Sequence, residues 1–259
     1  MNIIVLVKRI GHMIELDQDA SRESSREPRI NGTDKNAVEE AVRLREKYGG
    51  RVITITMGST NSQDILRETL AIGADEAILL CDDSFEGADA HATVTVLEAA
   101  ITKILDYDLI ICGAYSDDMY AFQIGPRIAE VCNLPQITYA TRIIIEGRRV
   151  IAERELEYEK QTVETKLPCL ITVLPELNKP RTPSSDERTA ASRKSITVWD
   201  AADLSLSEDE VGFNGSLVDV LRSTKFSVNK KPVTLQGEEQ EVIGKIVDIL
   251  KREGVLGEN

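Results

Sequence analysis

Neither of the two familiar glycine-rich phosphate fingerprints is present in this 259-residue chain: there is no GxGxxG and no GxxxxGK[ST]. The common dinucleotide and P-loop signatures are thereby excluded, although phosphate binding as such is not. Histidine is scarce, with only His12 and His91, and no GxSxG, HExxH or DxDxDG pattern occurs. That leaves little for nucleophilic, acid–base or zinc-hydrolytic chemistry. Basic residues are outnumbered, 31 Lys+Arg against 44 Asp+Glu, for a formal net charge of −13. This balance argues against nucleic acid or an anionic membrane surface as the main partner, so an anionic ligand would need local backbone donors. The four cysteines, Cys81, Cys112, Cys132 and Cys169, lack CxxC spacing and lie in or beside apolar segments. They read as buried reduced thiols in preference to metal ligands or disulfides. Long hydrophobic runs are also missing. The opening MNIIVLVKRI is much shorter than a membrane span and has no small-residue cleavage site, so the expectation is a soluble cytoplasmic protein without membrane insertion.

What is present alternates. NIIVLV, residues 2 to 7, is a β-branched run of the kind buried on both faces of a parallel sheet. NAVEEAVRLREKYGG sets Ala37, Val38, Ala41, Val42 and Leu44 near one helical face and stops at Gly49-Gly50. RVITITMG, EAILLCDD and DLIICG read as further strands, with SQDILRETLAIGAD and ADAHATVTVLEAAITKIL as the intervening helices. This βαβ alternation predicts a doubly wound parallel α/β sheet with right-handed crossovers. From about residue 137 the period falls to two, broken by Glu146-Gly147 and by Tyr158 to Lys160, which are hairpin signals. The antiparallel part could extend the first sheet or form a second one. Beyond Leu174 the text NKPRTPSSDERTAASRKS predicts a long exposed loop. Residues 205 to 237 are weakly patterned, and EEQEVIGKIVDILKREGVL closes as an amphipathic helix with Val242, Ile246, Ile249 and Leu250 on its apolar side. The chain thus divides into residues 1–204 and a C-terminal arm, 205–259, whose helix is expected to pack on another chain.

In an open α/β sheet a ligand binds at the carboxyl ends of the strands, near the switch in strand order. Four stretches end there: Leu6 to Arg9, Thr56 to Gly58, Cys81 to Asp89 and Gly113 to Pro126. Their glycines, Gly58, Gly87, Gly113 and Gly125, permit close backbone approach, and their polar side chains supply hydrogen bonds; the same glycines also serve as ordinary turn residues. The last stretch leads from a strand into a helix whose first N–H groups lack partners, which makes it a natural anion site. Asp117-Asp118 reads as service to that helix's dipole or cap, not as a metal site. His91, on a first helical turn, reads as solvated or capping. The result is a binding site without a reaction centre, as suits a protein whose cofactor does the chemistry.

Several segments resemble the beta subunit of electron transfer flavoproteins, nearest the Fix-type branch. IIVLVKRI, NGTDKNAVEEAVRLREK, TMG, LRETLAIGADEAILL, CGAYSDDMYAFQIGPRIAE, LP, KLPCLITVLPELNKPR and VWDAADL occur in the family's order over about residues 1 to 204. The resemblance implies a Rossmann-like sheet of the adenine nucleotide alpha hydrolase-like kind and a heterodimer with an alpha subunit that carries FAD. It implies nucleotide contacts at Leu6, Val7, Asn31, Asp34, Thr56, Met57 and Gly58, and at Gly113, Ser116, Tyr120, Gln123, Ile124 and Gly125 around the phosphate loop. GADAHAT resembles the GGADxxAT stretch of electron-bifurcating members, which makes Asp89 and Thr93 FAD contacts as well. The implied activity is transfer of electrons from NADH to ferredoxin or flavodoxin, and through the alpha-subunit FAD to an acyl-CoA, lactate or similar dehydrogenase or a quinone oxidoreductase. A conventional member, with structural AMP in this chain, is the alternative; a stand-alone nucleotide-binding module is a third.

Three departures stand out. YSDDMY replaces the usual QAIDxD wording, and Asn31-Gly32 replaces an Asn-Pro step. SDERTAA replaces LPNIMKA in the partner-recognition loop, about 181–194, so a docking leucine becomes Ser185.

Overall fold

The computed structural model describes residues 1–11, 14–16, 23–25, 28–222 and 234–256; His12 lies outside them. Among the described residues nine strands form one sheet: β1 (Asn2–Leu6), β2 (Arg51–Met57), β3 (Glu76–Leu80), β4 (Leu109–Gly113), β5 (Gln136–Glu146), β6 (Arg149–Glu155), β7 (Lys160–Lys166), β8 (Cys169–Val173) and β9 (Thr197–Trp199). Their order is β7-β6-β5-β8-β4-β1-β2-β3-β9. Every pairing from β5 to β9 is parallel, whereas β5-β6 and β6-β7 are antiparallel. The protein is therefore α/β with a doubly wound parallel sheet, and its hairpins extend that sheet. Gly147, at φ +62°, supplies the left-handed turn between β5 and β6.

The helices α1 (Gly32–Tyr48) and α2 (Gln63–Ile72) cover one face, and α3 (Ala90–Ile104) and α4 (Ile124–Val131) the other. Alternation along β1 shows why its sequence is a continuous apolar run: Ile3 and Val5 enter the core beneath α1 and α2, while Ile4 and Leu6 enter the core beneath α3 and α4. Strand β1 has β2 on one side and β4 on the other, so the strand order reverses between β1 and β4. The crevice at that switch point is where such a sheet offers a binding site.

The expected loop beyond Leu174 is corrected in part. It contains a helix, α5 (Ser185–Arg193), because Ser184 and Glu187 form a reciprocal capping box at its start. Only Ala191 of this helix is buried. TVW, residues 197–199, then adds the edge strand β9 beside β3. The first compact unit runs past 204 to Asp219, since Leu204 and Val211 are buried in the core beneath α3 and α4. The second unit, Val220–Asn259, holds α6 (Glu239–Arg252), of which no residue is buried. Among the described residues no helix is long and apolar enough to cross a membrane.

Candidate functional site

A cavity of about 330 Å³ opens at the carboxyl ends of β1, β2 and β4, at the lower end of the roughly 300–1,000 Å³ usual for small-molecule sites. Leu6, Ile55, Met57, Cys112 and Gly113 come from the strands, Leu97 from α3, Ile124 from the start of α4, and residues 114 to 116, 119 and 121 to 123 from the segment joining β4 to α4. Among the described lining residues Lys8 is the one basic side chain, and Asp34 and Asp89 are the acidic ones.

Asp34, in the first turn of α1, ties the switch point together. Its carboxylate accepts from the backbone N–H of Lys8 at 2.8 Å and of Gly113 at 3.0 Å, the residues just past β1 and at the end of β4. Burial pushes this carboxyl up to about 7, against the two amides, the Asn31 side chain and the Lys8 charge, which favour the ionised form. A Cβ at Gly113 would overlap Thr33 Oγ1 and Asp34 Oδ1. The close approach anticipated for this glycine is thus made by α1. Asn31 is equally committed: its Nδ2 donates to Tyr115 O at 2.8 Å and Thr33 Oγ1 at 2.9 Å, and its Oδ1 accepts from Asp117 N at 2.9 Å. Both residues line the cavity while holding its walls in register.

The Asp117-Asp118 pair corrects the sequence reading. Neither residue caps α4. Asp117 pairs with Arg29 at 3.0 Å, and Asp118 with Lys8 at 2.7 Å, so the two carboxylates latch the segment to the chain around β1. No side chain caps α4, whose first turn begins at Ile124 and contains Pro126; the bond from Arg127 N to Gln123 O opens the helix. The N–H groups of Ile124 and Gly125 are those a helix start leaves for an outside acceptor. Gly125 is needed for packing as well, since a Cβ there would overlap the Thr172 methyl on β8.

Asp89 caps α3. One oxygen accepts from His91 N at 2.7 Å and Ala92 N at 2.9 Å, and the other from Leu217 N at 3.0 Å. Burial alone would raise this carboxyl, but the three amides hold it below the usual range.

Of the expected contacts, the structure gathers Leu6, Val7, Asn31, Asp34, Met57, Asp89, Thr93, Gly113, Ser116, Gln123 and Ile124 around the one cavity. Thr56, Gly58, Tyr120 and Gly125 are not in its lining. Thr56 alternates with Ile55 and Met57 and so faces away from it, with its buried Oγ1 unpartnered. Gly58 packs against Ser62, and Tyr120 is exposed and stacks on Tyr115, with ring centroids 5.2 Å apart. Lys8, Tyr115, Met119 and Phe122 are lining residues that lie within the strand-end stretches read from the sequence but were not singled out there as contacts. Lys8 lies one residue beyond the quoted strand run, Tyr115 and Met119 sit in the YSDDMY stretch where family wording fails, and Phe122 lies two residues past it. Among the described residues no group of three or more His, Cys, Asp or Glu side chains could hold a metal ion.

Fold and site together define a doubly wound α/β protein whose switch-point cavity offers apolar sides for a ring and helix-start amides for an anion. The electron transfer flavoprotein domain matches residues 22–204. The chain is 40% identical to the electron transfer flavoprotein subunit beta of Thermoanaerobacterium thermosaccharolyticum, over 99% of this chain and 100% of that one. It is 37% identical to the caffeyl-CoA reductase-Etf complex subunit CarD of Acetobacterium woodii, over 88% and 87%. With protein FixA of Azorhizobium caulinodans it shares 34% identity over 88% and 84%. The chain belongs to the electron transfer flavoprotein family, on its beta-subunit side. The family associates with flavin- or AMP-type cofactors, and the cavity's composition fits such a group.

Proposed function

We propose that this chain is the beta subunit of a heterodimeric electron transfer flavoprotein and that its switch-point cavity binds FAD. In this reading the complex takes electrons from NADH. It passes them to ferredoxin or flavodoxin and, through the alpha subunit, to a dehydrogenase or a quinone oxidoreductase. The observation that carries the FAD reading is that two helix starts border one cavity, α4 at Gln123 and Ile124 and α3 at Asp89 to Thr93. A mononucleotide needs one anion site, whereas a dinucleotide with a second ring system makes use of polar groups farther along. The name of the CarD relative, a caffeyl-CoA reductase-Etf complex subunit, agrees with assembly into a larger reductase complex.

Bound FAD would supply hydride acceptance and single-electron release. The chain's own residues would hold and orient it. The Ile124 amide and the Gln123 side chain would meet the diphosphate at the start of α4, where the helix-dipole contribution is about 0.3 to 1 kcal/mol. Leu6, Ile55, Met57 and Leu97 would keep water from the ring. The exposed face of α5 would meet the dehydrogenase.

One observation favours a conventional beta subunit with AMP instead: Asp89 already accepts from three backbone amides, so its cap function alone accounts for it. Extraction of nucleotides from the purified heterodimer separates the readings. Two FAD and no AMP per heterodimer are expected; one FAD and one AMP would defeat the FAD assignment.

A further inference from the structure

We propose that Tyr115, Met119 and Phe122 form a stacking wall for the planar ring of the bound nucleotide, an inference that rests on the nucleotide reading of the same cavity. The segment between β4 and α4 has two parts of different character. Residues 115 to 118 are latched by polar contacts, through Asn31, Arg29 and Lys8. Residues 119 to 122 are apolar, and their large side chains stay at the surface: Met119 is 67% exposed, Tyr120 61% and Phe122 38%.

The backbone here is held where L residues rarely go. Tyr120 and Phe122 have φ of +49° and +56°, and Tyr139, which meets Phe122 edge-on, has +61°. Such outliers are seldom retained without a compensating role, and they cluster at ligand clamps. Their effect is to gather rings. Tyr115 stacks on Tyr120 with planes 17° apart, and its centroid lies 5.0 Å from that of Phe122. Were this array built only for stability, burial would be expected to accompany it; instead Tyr115, Met119 and Phe122 line the cavity. A planar heteroaromatic ring would complete the stack, with face and edge contacts of the kind aromatic pairs prefer. The anion-binding helix start follows directly at Gln123, so one short segment would recognise both ends of a nucleotide. The chemistry recognised is a flat heteroaromatic ring, either adenine or isoalloxazine.

The test uses the full chain co-purified with its partner subunit and stripped of nucleotide, titrated by calorimetry with AMP and with FAD. Phe122→Leu keeps apolar bulk and loses the ring, and it is expected to weaken binding about tenfold, within the range found for base–aromatic stacking. Phe122→Tyr should restore affinity. Weakening of AMP and FAD alike assigns the wall to adenine. Weakening of FAD alone, with a shifted visible flavin band, assigns it to isoalloxazine. Wild-type affinity in Phe122→Leu, even with a lowered melting temperature, overturns the wall while leaving the nucleotide reading intact. So does a Phe122→Tyr variant as weak as Phe122→Leu. Failure of the wild-type protein to bind either nucleotide overturns both.

Discussion

Asp34 shows how a single buried carboxylate can organise a switch point. It joins the chain just past β1 to the end of β4 through two backbone amides, and Gly113 has no side chain because α1 occupies that space. The carboxyl is raised from 3.8 to about 7 in the fold, so the folded chain holds this proton more tightly than the unfolded chain. By linkage, its contribution to stability is greatest at low pH and falls as pH rises through the window from 3.8 to about 7. Asn at this position accepts from only one of the two amides and points its NH₂ at the other. The protonated wild-type acid likewise offers one carbonyl oxygen and turns a hydroxyl toward the other amide, so Asp34→Asn is expected to change stability little at pH 5 and to gain on the wild type as pH rises and the buried carboxyl ionises. Urea unfolding at pH 5 and pH 8 checks this. The variant's stability relative to wild type should rise from pH 5 to pH 8, and a difference independent of pH would show that Asp34 does not titrate in that window.

At the scale of elements, α5 is a polar helix held at its edges. Ser184 and Glu187 cap it, and the chain leading into it is fastened by Arg181, which reaches Glu39 on α1 at 2.8 Å and Glu46 at 2.7 Å. Burial alone would raise the Glu39 carboxyl, but Arg181 and Arg43 hold it below its ordinary value. With Ala191 the one buried residue, α5 is held by its cap together with contacts to α2, where Arg67 donates to Ala191 O at 2.9 Å. Ser184→Ala is expected to cost about 0.5–2 kcal/mol locally, seen as faster hydrogen exchange at the α5 amides with global unfolding unchanged. An equal loss of protection across α1 would instead make the cap part of the global core. Rewriting Ser184 to Arg188 as Gly/Ser should lower dehydrogenase-coupled turnover without changing nucleotide content. Unchanged turnover would move the docking surface elsewhere.

For the whole molecule, the two compact units differ in what they bury. The first, Met1–Asp219, has an apolar core on each face of its sheet. The second presents α6 with Ile243 52% and Ile246 43% exposed, an apolar side that only another surface would remove from water. Expressed alone, the chain is expected to self-associate or to be poorly soluble, and co-expression with an alpha subunit to cure this. Deleting residues 220 to 259 should leave a cooperatively unfolding first unit that no longer co-elutes with the alpha subunit in size-exclusion chromatography. A truncated chain that still forms the complex would take the arm out of the interface.

Local pattern was enough to make the first half of this protein legible. The unbroken apolar runs, the helical faces ending at Gly49 and Gly73, and the period-two text after residue 137 each follow from short-range geometry, and the sequence by itself determined a doubly wound sheet with hairpins. It also pointed to the strand ends as the binding side, where Leu6, Gln123 and Ile124 meet in the cavity. Tertiary structure alone decided where the hairpins went, because β8 inserts between β5 and β4 through pairings that are remote in sequence. It also decided that Gly113 yields to α1, that Asp117 and Asp118 pair with Arg29 and Lys8, and that Tyr115 and Phe122 share a wall. Each of these depends on which distant backbone or charge arrives alongside, and neither periodicity nor spacing carries that information.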